Sequence, residues 1–297
     1  MRKKYVIGVF AVLAMAVLIL DTKSALHGTQ DGIRLCIQTV IPSLFPFFFL
    51  SGIINQSLLG YSGKGLRPLG KLCGIPAGAE PLLLLGLTGG YPVGAQAIGT
   101  AYDCGSIEKK DAQRMLGFCS TAGPAFVFGL AGSLFESKWI CWILWAILIL
   151  SAVLTGVLLP SKSCCTCKIS NSKRKNPLEQ AITSMATVCG WVILFRTLLH
   201  FINRWILWTL PKNFAILITG LLELTNGCVD IHNIQQPSLQ FTLLAGFLSF
   251  GGICVGLQTV SVTRELSCKT YFLGKVIQTV IAIILSMIVS TFLFPGK

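Results

Sequence analysis

The sequence has few charged side chains, and few of the residues that acid–base or metal chemistry needs. Charged residues make up 12% of its 297 residues, whereas a soluble domain carries about 25%. The 11 acids and three histidines form no His-Glu-x-x-His motif, no Gly-x-Ser-x-Gly motif and no paired carboxylates. This composition excludes a large water-exposed surface. We therefore expect a protein that is not an enzyme and that has no cofactor and no metal site.

The chain instead contains a series of apolar runs. Hydrophobic residues make up 53% of it, and a membrane-spanning helix needs about 20 apolar residues. Five runs are uninterrupted: Tyr5–Leu20, Ile33–Leu59, Trp139–Pro160, Ala181–Ile202 and Tyr271–Phe294. Four more are interrupted by glycine or proline: Ala79–Ala101, Ala112–Phe135, Asn213–Ile234 and Leu239–Val262. The pattern predicts an all-α polytopic membrane protein in contact with the lipid bilayer.

The net charge of +13 comes from 24 Lys and Arg against 11 Asp and Glu. A basic chain can bind nucleic acid, but these charges are scattered between apolar runs. An excess of Lys and Arg in cytoplasmic loops is what orients membrane proteins, so we expect no nucleic-acid partner. Arg2, Lys3 and Lys4 precede the first apolar run, which no small-x-small cleavage site follows. We therefore expect an uncleaved first helix with a cytoplasmic N-terminus.

Twelve cysteines are many for this length. Most lie inside apolar runs, where cysteine behaves as a small hydrophobic residue. Cys164, Cys165 and Cys167 instead cluster in a basic loop. A metal or redox role stays open there, but a zinc site usually takes four ligands in spaced pairs, so we favour an incidental or structural role.

The order of the elements repeats along the chain. The motif x-Leu-Thr-x-Gly occurs at Gly86–Gly90 and again at Glu223–Gly227. The motif Phe-x-Ser-x-x-Gly follows it in both cases, at Phe118–Gly123 and at Phe247–Gly252. Each half therefore consists of a span, two interrupted elements and a second span, which is the signature of an internal repeat.

We accordingly divide the chain into four segments: an N-terminal transmembrane helix and loop (1–32), a first repeat (33–160), a basic cytoplasmic loop (161–176) and a second repeat (177–297). A further similarity, between Gly89–Gln96 and Gly251–Gln258, gives a conflicting register. We keep the register that preserves the order of the elements, because glycine-rich matches arise easily by chance.

The charges also predict how the elements cross the bilayer. If Ala79–Ala101 crossed fully, the loop Ser161–Asn176, with five Lys and Arg, would lie outside, against the positive-inside tendency. If that element is re-entrant, the loop returns to the cytoplasm. The same assumption for Asn213–Ile234 puts Arg264–Lys275, with net charge +2, inside. We therefore predict two inverted repeats with paired re-entrant or broken helical elements, as in many secondary transporters.

The segment Gly86–Gly94 interrupts its apolar run in the middle. Clustered glycine with Pro92 breaks helical hydrogen bonding, and unpaired backbone groups must then face protein or a water-filled cavity. We predict an unwound hairpin tip whose amides and Thr88 hydroxyl contact a solute, and close helix packing through small residues is the alternative. Ser120–Pro124 and Ser249–Gly252 repeat the pattern, and broken helices at matched positions are typical of transport sites.

Three ionisable residues of the second half stand out. Glu223 lies in an apolar segment, and an intramembrane carboxylate is a functional candidate by default. It could bind a cation, a proton or a polar substrate, with Asn226 beside it, or it could be a helix end at the water boundary. Arg196 and His200, one turn apart, could attract an anion to a cavity, but we favour the alternative that they reach to the lipid headgroups.

Five motifs occur together in a recognisable order: Pro42–Phe47, Gly89–Ala95, Phe118–Pro124, Glu223–Gly227 and Ser249–Cys254. In this order they resemble the YlbJ-like sporulation integral membrane proteins, a family with the nucleoside-recognition Gate domain, over a stretch from about Ile33 to Val262. The resemblance implies a fold related to concentrative nucleoside carriers, with hairpin tips that form the site. It also implies a link to endospore formation, in which dipicolinate must cross a forespore membrane. Carried over by motif, the candidate substrate-binding residues are Thr88, Gly89, Gly90, Tyr91, Ser120, Thr121, Glu223, Thr225, Asn226, Ser249 and Gln258.

We therefore expect a transporter-type protein that moves a small polar organic solute, with dipicolinate as the candidate during sporulation and a proton or a sodium ion as the candidate coupling ion. A non-transporting scaffold or assembly factor of the spore envelope is one alternative. A gate subunit of a larger transport complex is another. The expected location is the bacterial cell membrane, with the forespore membrane as a candidate, and a homo-oligomer stays open.

Overall fold

The computed structural model describes residues 2–60, 65–135, 137–160, 167, 176–263 and 265–295, and the secondary structure of these residues is helical, with no strand among them. The described part of the first half forms the helices α1 Arg2–Leu20, α2 Thr22–Leu35, α3 Ile41–Leu58, α4 Arg67–Leu72, α5 Glu80–Thr88, α6 Val93–Asp103, α7 Lys109–Leu116, α8 Pro124–Leu134 and α9 Lys138–Leu158. The described part of the second half forms α10 Pro177–Trp205, α11 Lys212–Leu222, α12 Leu224–Asp230, α13 Pro237–Phe250, α14 Gly252–Thr263 and α15 Lys269–Leu293. A π-helical turn, Cys36–Val40, joins α2 to α3, and 3-10 turns follow α10 and α12 at Leu207–Thr209 and Ile231–Asn233.

Within the described residues, five helical segments are long and apolar enough to cross a bilayer. They are Thr22–Leu58, Lys138–Leu158, Pro177–Trp205, Pro237–Thr263 and Lys269–Leu293. Each exceeds the roughly 20 residues that a bilayer core requires. The prediction of an all-α polytopic membrane protein is therefore confirmed. In α1, the stretch Ala11–Leu20 is apolar but shorter.

All four interrupted elements are pairs of helices with a break between them. Gly90, with a φ of +77°, lies between α5 and α6, and residues 117–123 separate α7 from α8. Glu223 alone separates α11 from α12, and Gly251, with a φ of +84°, ends α13. A positive φ favours glycine because it has no Cβ. Glycine therefore explains the breaks at Gly90 and Gly251, whereas the break at Glu223 contains neither glycine nor proline.

The segment 22–32, which we expected to be a loop, is helical. It forms α2, which continues into α3, so the boundary between residues 32 and 33 falls inside one helical segment. Small buried residues at Ser24, Gly28 and Gly32 let α2 lie close to α10, and a methyl group on Gly28 would come within 2.7 Å of the Thr197 Cα atom. Small residues at a spacing of four are typical of close helix contacts in membranes.

Polar groups on α10 explain why α2 is helical in spite of its charges. His200 Nε2 lies 3.0 Å from Asp31 Oδ2, and the hydroxyl groups of Thr29 and Thr197 lie 3.0 Å apart. Because α10 supplies these partners, the polar side of α2 is satisfied within the protein. His200 therefore contacts α2, and the structure does not bring it into a cavity with Arg196.

The segments α2–α3 and α10 run antiparallel to each other. Ser24, near the start of α2, accepts a hydrogen bond of 3.4 Å from Arg204, near the end of α10. Gly52 in α3 packs on Pro177, where α10 begins. We call the end of the bundle at Pro177 the basic end, because the sequence after α3 (60–79) and the sequence before α10 (161–176) are rich in Lys and Arg.

Several contacts gather loops and helix ends at the basic end. The Cys167 N–H donates to the Ala77 carbonyl oxygen at 2.8 Å, and the Gly60 N–H donates to the Gly78 carbonyl oxygen at 2.9 Å. Gln180, in the first turn of α10, donates to the Thr100 hydroxyl at the end of α6. The helices α5 and α6 therefore form a hairpin that both starts and finishes at this end.

Three phenylalanine rings mark the opposite end, which we call the aromatic end. Phe135 follows α8, Phe241 lies in the first turns of α13, and Phe294 follows α15. Their ring centroids are 5.9 to 6.1 Å apart. The helix pair α7–α8 thus runs from the basic to the aromatic end, whereas α13–α14 starts at the aromatic end.

Candidate functional site

The two breaks of the first half meet near the middle of the bundle. The Tyr91 N–H donates to the Thr121 carbonyl oxygen at 2.9 Å. A Cβ atom on Gly90 would lie 2.6 Å from the Gly123 nitrogen, closer than side-chain atoms approach. Glycine at both positions therefore lets the tip of the α5–α6 hairpin contact the α7–α8 break directly.

Glu223 occupies the tip of the α11–α12 hairpin and caps α12. Its Oε1 accepts from the Thr225 N–H at 3.1 Å and its Oε2 accepts from the Asn226 N–H at 2.9 Å. These two bonds satisfy N–H groups that a helix start leaves unpaired. Glu223 is therefore a helix end, as one of the two interpretations held, but its exposed fraction is only 5% and it lies inside the protein.

A cavity of about 340 Å³ lies between these tips. Seven of the eleven candidate residues line it: Thr88, Gly89, Gly90, Tyr91, Glu223, Thr225 and Gln258. Its other walls are apolar and include Phe47 of α3, Phe126 of α8, and Val188 and Val192 of α10. A mostly apolar cavity of this size with a few polar groups is typical of small-molecule sites.

The other four candidate residues do not line this cavity. Asn226 accepts a hydrogen bond from Arg196, so Arg196 is used within the protein and does not extend to the headgroups. Ser120, Thr121 and Ser249 are fully buried in the α7–α8 and α13–α14 segments. The structure brings these three together around a residue that the sequence analysis did not select.

That residue is Lys275 in α15. We assigned it to a cytoplasmic basic segment with Arg264, but it lies in the second turn of a long helix, and its exposed fraction is 0%. The Lys275 ammonium donates to the Ser120 carbonyl oxygen, to the Ser249 carbonyl oxygen at 3.2 Å and to Gln278 Oε1 at 3.0 Å. A single lysine within the apolar run Tyr271–Phe294 was the signal that could have found it.

Gln278, one turn further along α15, extends this group of contacts. Its Nε2 donates to the Thr121 hydroxyl at 3.0 Å. The Lys275 Nζ atom also lies 5.8 Å from the centre of the Tyr91 ring and 5.9 Å from that of Tyr271. Because Tyr91 lines the cavity, the ammonium lies behind one wall of the candidate site.

A second, smaller cavity of about 140 Å³ lies nearer the basic end. Its lining is mostly polar: Gln96, Thr100, Asp103, Glu179, Gln180, Thr183, Ser184, Thr187, Ser261 and Val262. It follows the same faces of α10 and α14 as the first cavity. Gln96 and Gln258, which occupy equivalent positions in the similarity that we set aside, lie on the neighbouring helices α6 and α14, where Gly99 packs on Val262.

The cysteine cluster of the basic loop is described only at Cys167, whereas Cys164 and Cys165 lie outside the described residues. Cys167 is buried beside residues such as Cys73 and Ile75. Burial raises the pKa of the Cys167 thiol to about 11. A thiol that stays protonated at neutral pH is a poor metal ligand and a poor nucleophile, so this position favours the structural role.

The geometry defines the class first: a polytopic all-α membrane protein with broken helices around a central cavity. No protein-family model matches the chain, and no solved structure matches it. The chain is similar to the sporulation integral membrane protein YlbJ of Bacillus subtilis (strain 168), with 23% identity over 332 aligned positions that cover 95% of this chain and 81% of that protein. This similarity to an integral membrane protein supports the resemblance to YlbJ-like proteins that the motifs indicated.

Proposed function

We propose that the protein is a carrier for a small polar organic solute, which binds in the central cavity. The observation that carries the proposal is the meeting of helix breaks with Glu223 at one cavity of about 340 Å³. Transport sites near the middle of a bilayer are commonly formed by such discontinuous helices. Seven residues that motif matching selected line this cavity, together with the apolar walls that an aromatic solute would require.

Dipicolinate is our candidate solute, because the relative is named as a sporulation protein and the site suits a flat aromatic acid in size and lining. Gly89, Gly90 and Thr88 line the cavity at the hairpin tip. The Gly89 N–H and the Thr88 hydroxyl donate to the Leu85 and Leu84 carbonyl oxygens at 2.8 Å, and Thr225 and Gln258 add polar side chains to the same lining. Nucleosides are the second solute class to test, in keeping with the Gate domain that the motifs resemble.

The directions of the helices support two inverted repeats. In the first half, α3 runs to the basic end, the α5–α6 hairpin enters and returns there, and α9 runs back from the aromatic end to the basic end. In the second half, α10 runs from the basic end to the aromatic end, and the α11–α12 hairpin lies between the end of α10 and the start of α13. α15 then runs to the aromatic end, where Phe294 follows it. Every element of one half thus has a counterpart of opposite direction in the other.

This arrangement supports a cytoplasmic location for the basic end and for the N-terminus. Cys167 of the second basic segment donates to Ala77 of the first at this end, which agrees with the positive-inside tendency. α1 ends beside Asp21, which lies 3.4 Å from Arg204 at the far end of α10. If α1 spans the bilayer from there, as we propose, it starts on the same side as the basic segments.

Two cavities in succession support alternating access. The central cavity and the polar cavity share α10 and α14, and the layer between them contains Gln258, Thr187 and Val188. Trp191 Nε1 donates to the Ser261 hydroxyl at 2.7 Å across the same pair of helices. Separation of α10 from α14 would join the two cavities into a path to the basic end.

The test is uptake by proteoliposomes that contain the purified protein, with dipicolinate and nucleosides, with and without a proton or a sodium gradient. Glu223→Ala should abolish uptake while the protein still inserts, because it removes the cap of α12 and the carboxylate that we propose holds the coupling proton or sodium ion. Leu221→Ala, on the exposed side of α11, is the matched control and should transport normally. Unchanged uptake with Glu223→Ala, or no uptake of either solute class by the unmodified protein, would reject the carrier.

The two alternatives predict different results. A non-transporting scaffold would tolerate Glu223→Ala in a sporulation assay but would depend on the loop 161–176. A gate subunit would co-purify with an energised partner such as an ATPase. The contacts of Glu223 with the cavity favour the carrier over both.

A further inference from the structure

The ammonium group of Lys275 is buried inside the helix bundle, where other polar groups must replace the water that would solvate it. Its side chain is fully buried, and it lies near the level of the helix breaks. A charge at such depth persists only where oriented oxygen atoms replace water. The partners of Lys275 therefore reveal what kind of site the protein has built there.

Those partners are three neutral oxygen atoms that converge on one point. The Ser120 carbonyl belongs to the α7–α8 break of the first half, and the Ser249 carbonyl belongs to the last turn of α13, next to the break of the second half. Gln278 contributes the third oxygen, and its orientation is set by its bond to Thr121. Unwound carbonyls and helix C-terminal ends are the groups that bind monovalent cations in broken-helix proteins.

We infer that these oxygen atoms form a monovalent-cation site and that the Lys275 ammonium is its permanent, covalently attached occupant. The site joins a break of one half to a break of the other. Its ligand class is therefore a small cation: the lysine ammonium in the natural chain, and a free alkylammonium or alkali ion when the side chain is removed. The inference stands on the contacts of Lys275 and does not require that the carrier proposal be correct.

The position between breaks distinguishes this site from an ordinary buried ion pair. Its described partners are neutral, so the ammonium is not cancelled by a carboxylate in contact with it. It also lies 5.8 Å from the ring of Tyr91, on the far side of the wall from the cavity. The positive charge therefore stabilises the breaks and favours an anionic solute beyond Tyr91.

The experiment compares three forms of the full-length protein, unmodified, Lys275→Ala and Lys275→Met, purified in detergent. Thermal unfolding is measured in chloride salts of N-methylglucamine, sodium and methylammonium at equal ionic strength. Methylammonium is also supplied during growth of the Ala variant. Val276→Ala, an exposed neighbour on the same helix, controls for helix truncation.

We expect the unmodified protein and Val276→Ala to unfold at the same temperature in all three salts. Lys275→Ala should unfold at a lower temperature in N-methylglucamine, and methylammonium or sodium should raise it saturably by about 5 °C. Lys275→Met should also have a lower unfolding temperature, and no cation should raise it, because the methionine side chain fills the space that the cation would occupy. The inference is overturned if no small cation rescues the Ala variant, if that variant cannot be recovered with any cation, or if Lys275→Met matches the unmodified protein.

Discussion

Among the residues that the structure describes, two buried cations donate to backbone carbonyl oxygens, Arg114 at the basic end and Lys275 at the centre. Arg114 donates to the carbonyls of Leu159 at 3.2 Å, Gly74 at 3.1 Å and Gly156 at 2.7 Å, and also to Cys73. These oxygens belong to the C-terminal ends of α4 and α9. Arg114 therefore closes two helix ends, in the way that basic groups stabilise helix C-termini.

Lys275 uses the same chemistry at a different kind of place. Its oxygen partners come from helix breaks, next to a cavity, and not from the ends of complete helices. The planar guanidinium can serve several diverging carbonyls at once, whereas an ammonium is a compact point charge that suits one convergent site. A buried cation can therefore stabilise either the ends of complete helices or the breaks beside a cavity, and the backbone carbonyls to which it donates decide which.

The largest expected effect separates the two roles. Arg114→Met leaves several buried carbonyls without donors and should lower the free energy of unfolding by about 3 kcal/mol or more, so little folded protein should remain in the membrane. Lys275→Met should cost less stability, since fewer partners are lost, but should abolish dipicolinate uptake. Quantitative membrane yield, thermal unfolding and uptake are measured side by side. Equal losses of stability and uptake in the two variants would remove the distinction.

We expect an effect of intermediate size from alanine at Gly90 in the centre, and none on uptake from alanine at Gly105 near the basic end. Gly90 and Gly105 have similar φ values, +77° and +70°, but only Gly90 has neighbouring atoms where a Cβ would lie. Ala at either position costs about 1 kcal/mol from backbone strain, and Gly90→Ala adds a clash at 2.6 Å with Gly123. We expect Gly105→Ala to transport normally and Gly90→Ala to lose uptake. A normal Gly90→Ala protein would show that the two breaks need not touch.

The smallest effect concerns the basic end alone. Because burial raises the pKa of Cys167 to about 11, its reactive thiolate is scarce below that pH and increases tenfold for each unit of pH up to about 11. In variants that retain one cysteine, Cys167 should therefore react with maleimide far more slowly at pH 8 than Cys104 does. Cys104 should react from the cytoplasmic side only, and a cysteine placed at Thr209 from the opposite side. Fast labelling of Cys167 at pH 8 would show that the basic end is open.

Some features could be predicted from the sequence because their causes are local. The breaks at Gly90 and Gly251 follow from glycines with a positive φ, whereas the break at Glu223 has no glycine or proline as a local cause. The cavity residues Thr88, Tyr91 and Gln258 were selected because they adjoin such breaks. Which of these residues line the cavity could not be predicted. Ser120, Thr121 and Ser249 also adjoin helix breaks, but they are buried away from the cavity.

Other features depend on partners that are distant in the chain. The helix α2 looks like a loop by its charges, and only its partners on α10, such as His200 for Asp31, explain why it forms a helix packed along α10. Lys275 looks like the end of a basic segment, because the lysine lies near the start of an apolar run. Its carbonyl partners are 155 and 26 residues away in the chain, and such separations leave no periodic signal.

The sequence by itself determined the class of the protein, the helix breaks that contain glycine and seven of the residues that line the cavity. These follow from composition, hydrophobic length and the backbone chemistry of glycine and proline, which act within a few residues. Only the tertiary structure decided that the breaks of the first half touch, that Glu223 caps a helix inside the protein and that Lys275 joins the two halves. The physical reason is that a buried charge is stabilised by oxygen atoms that converge from distant segments, and that convergence exists only once the chain has folded.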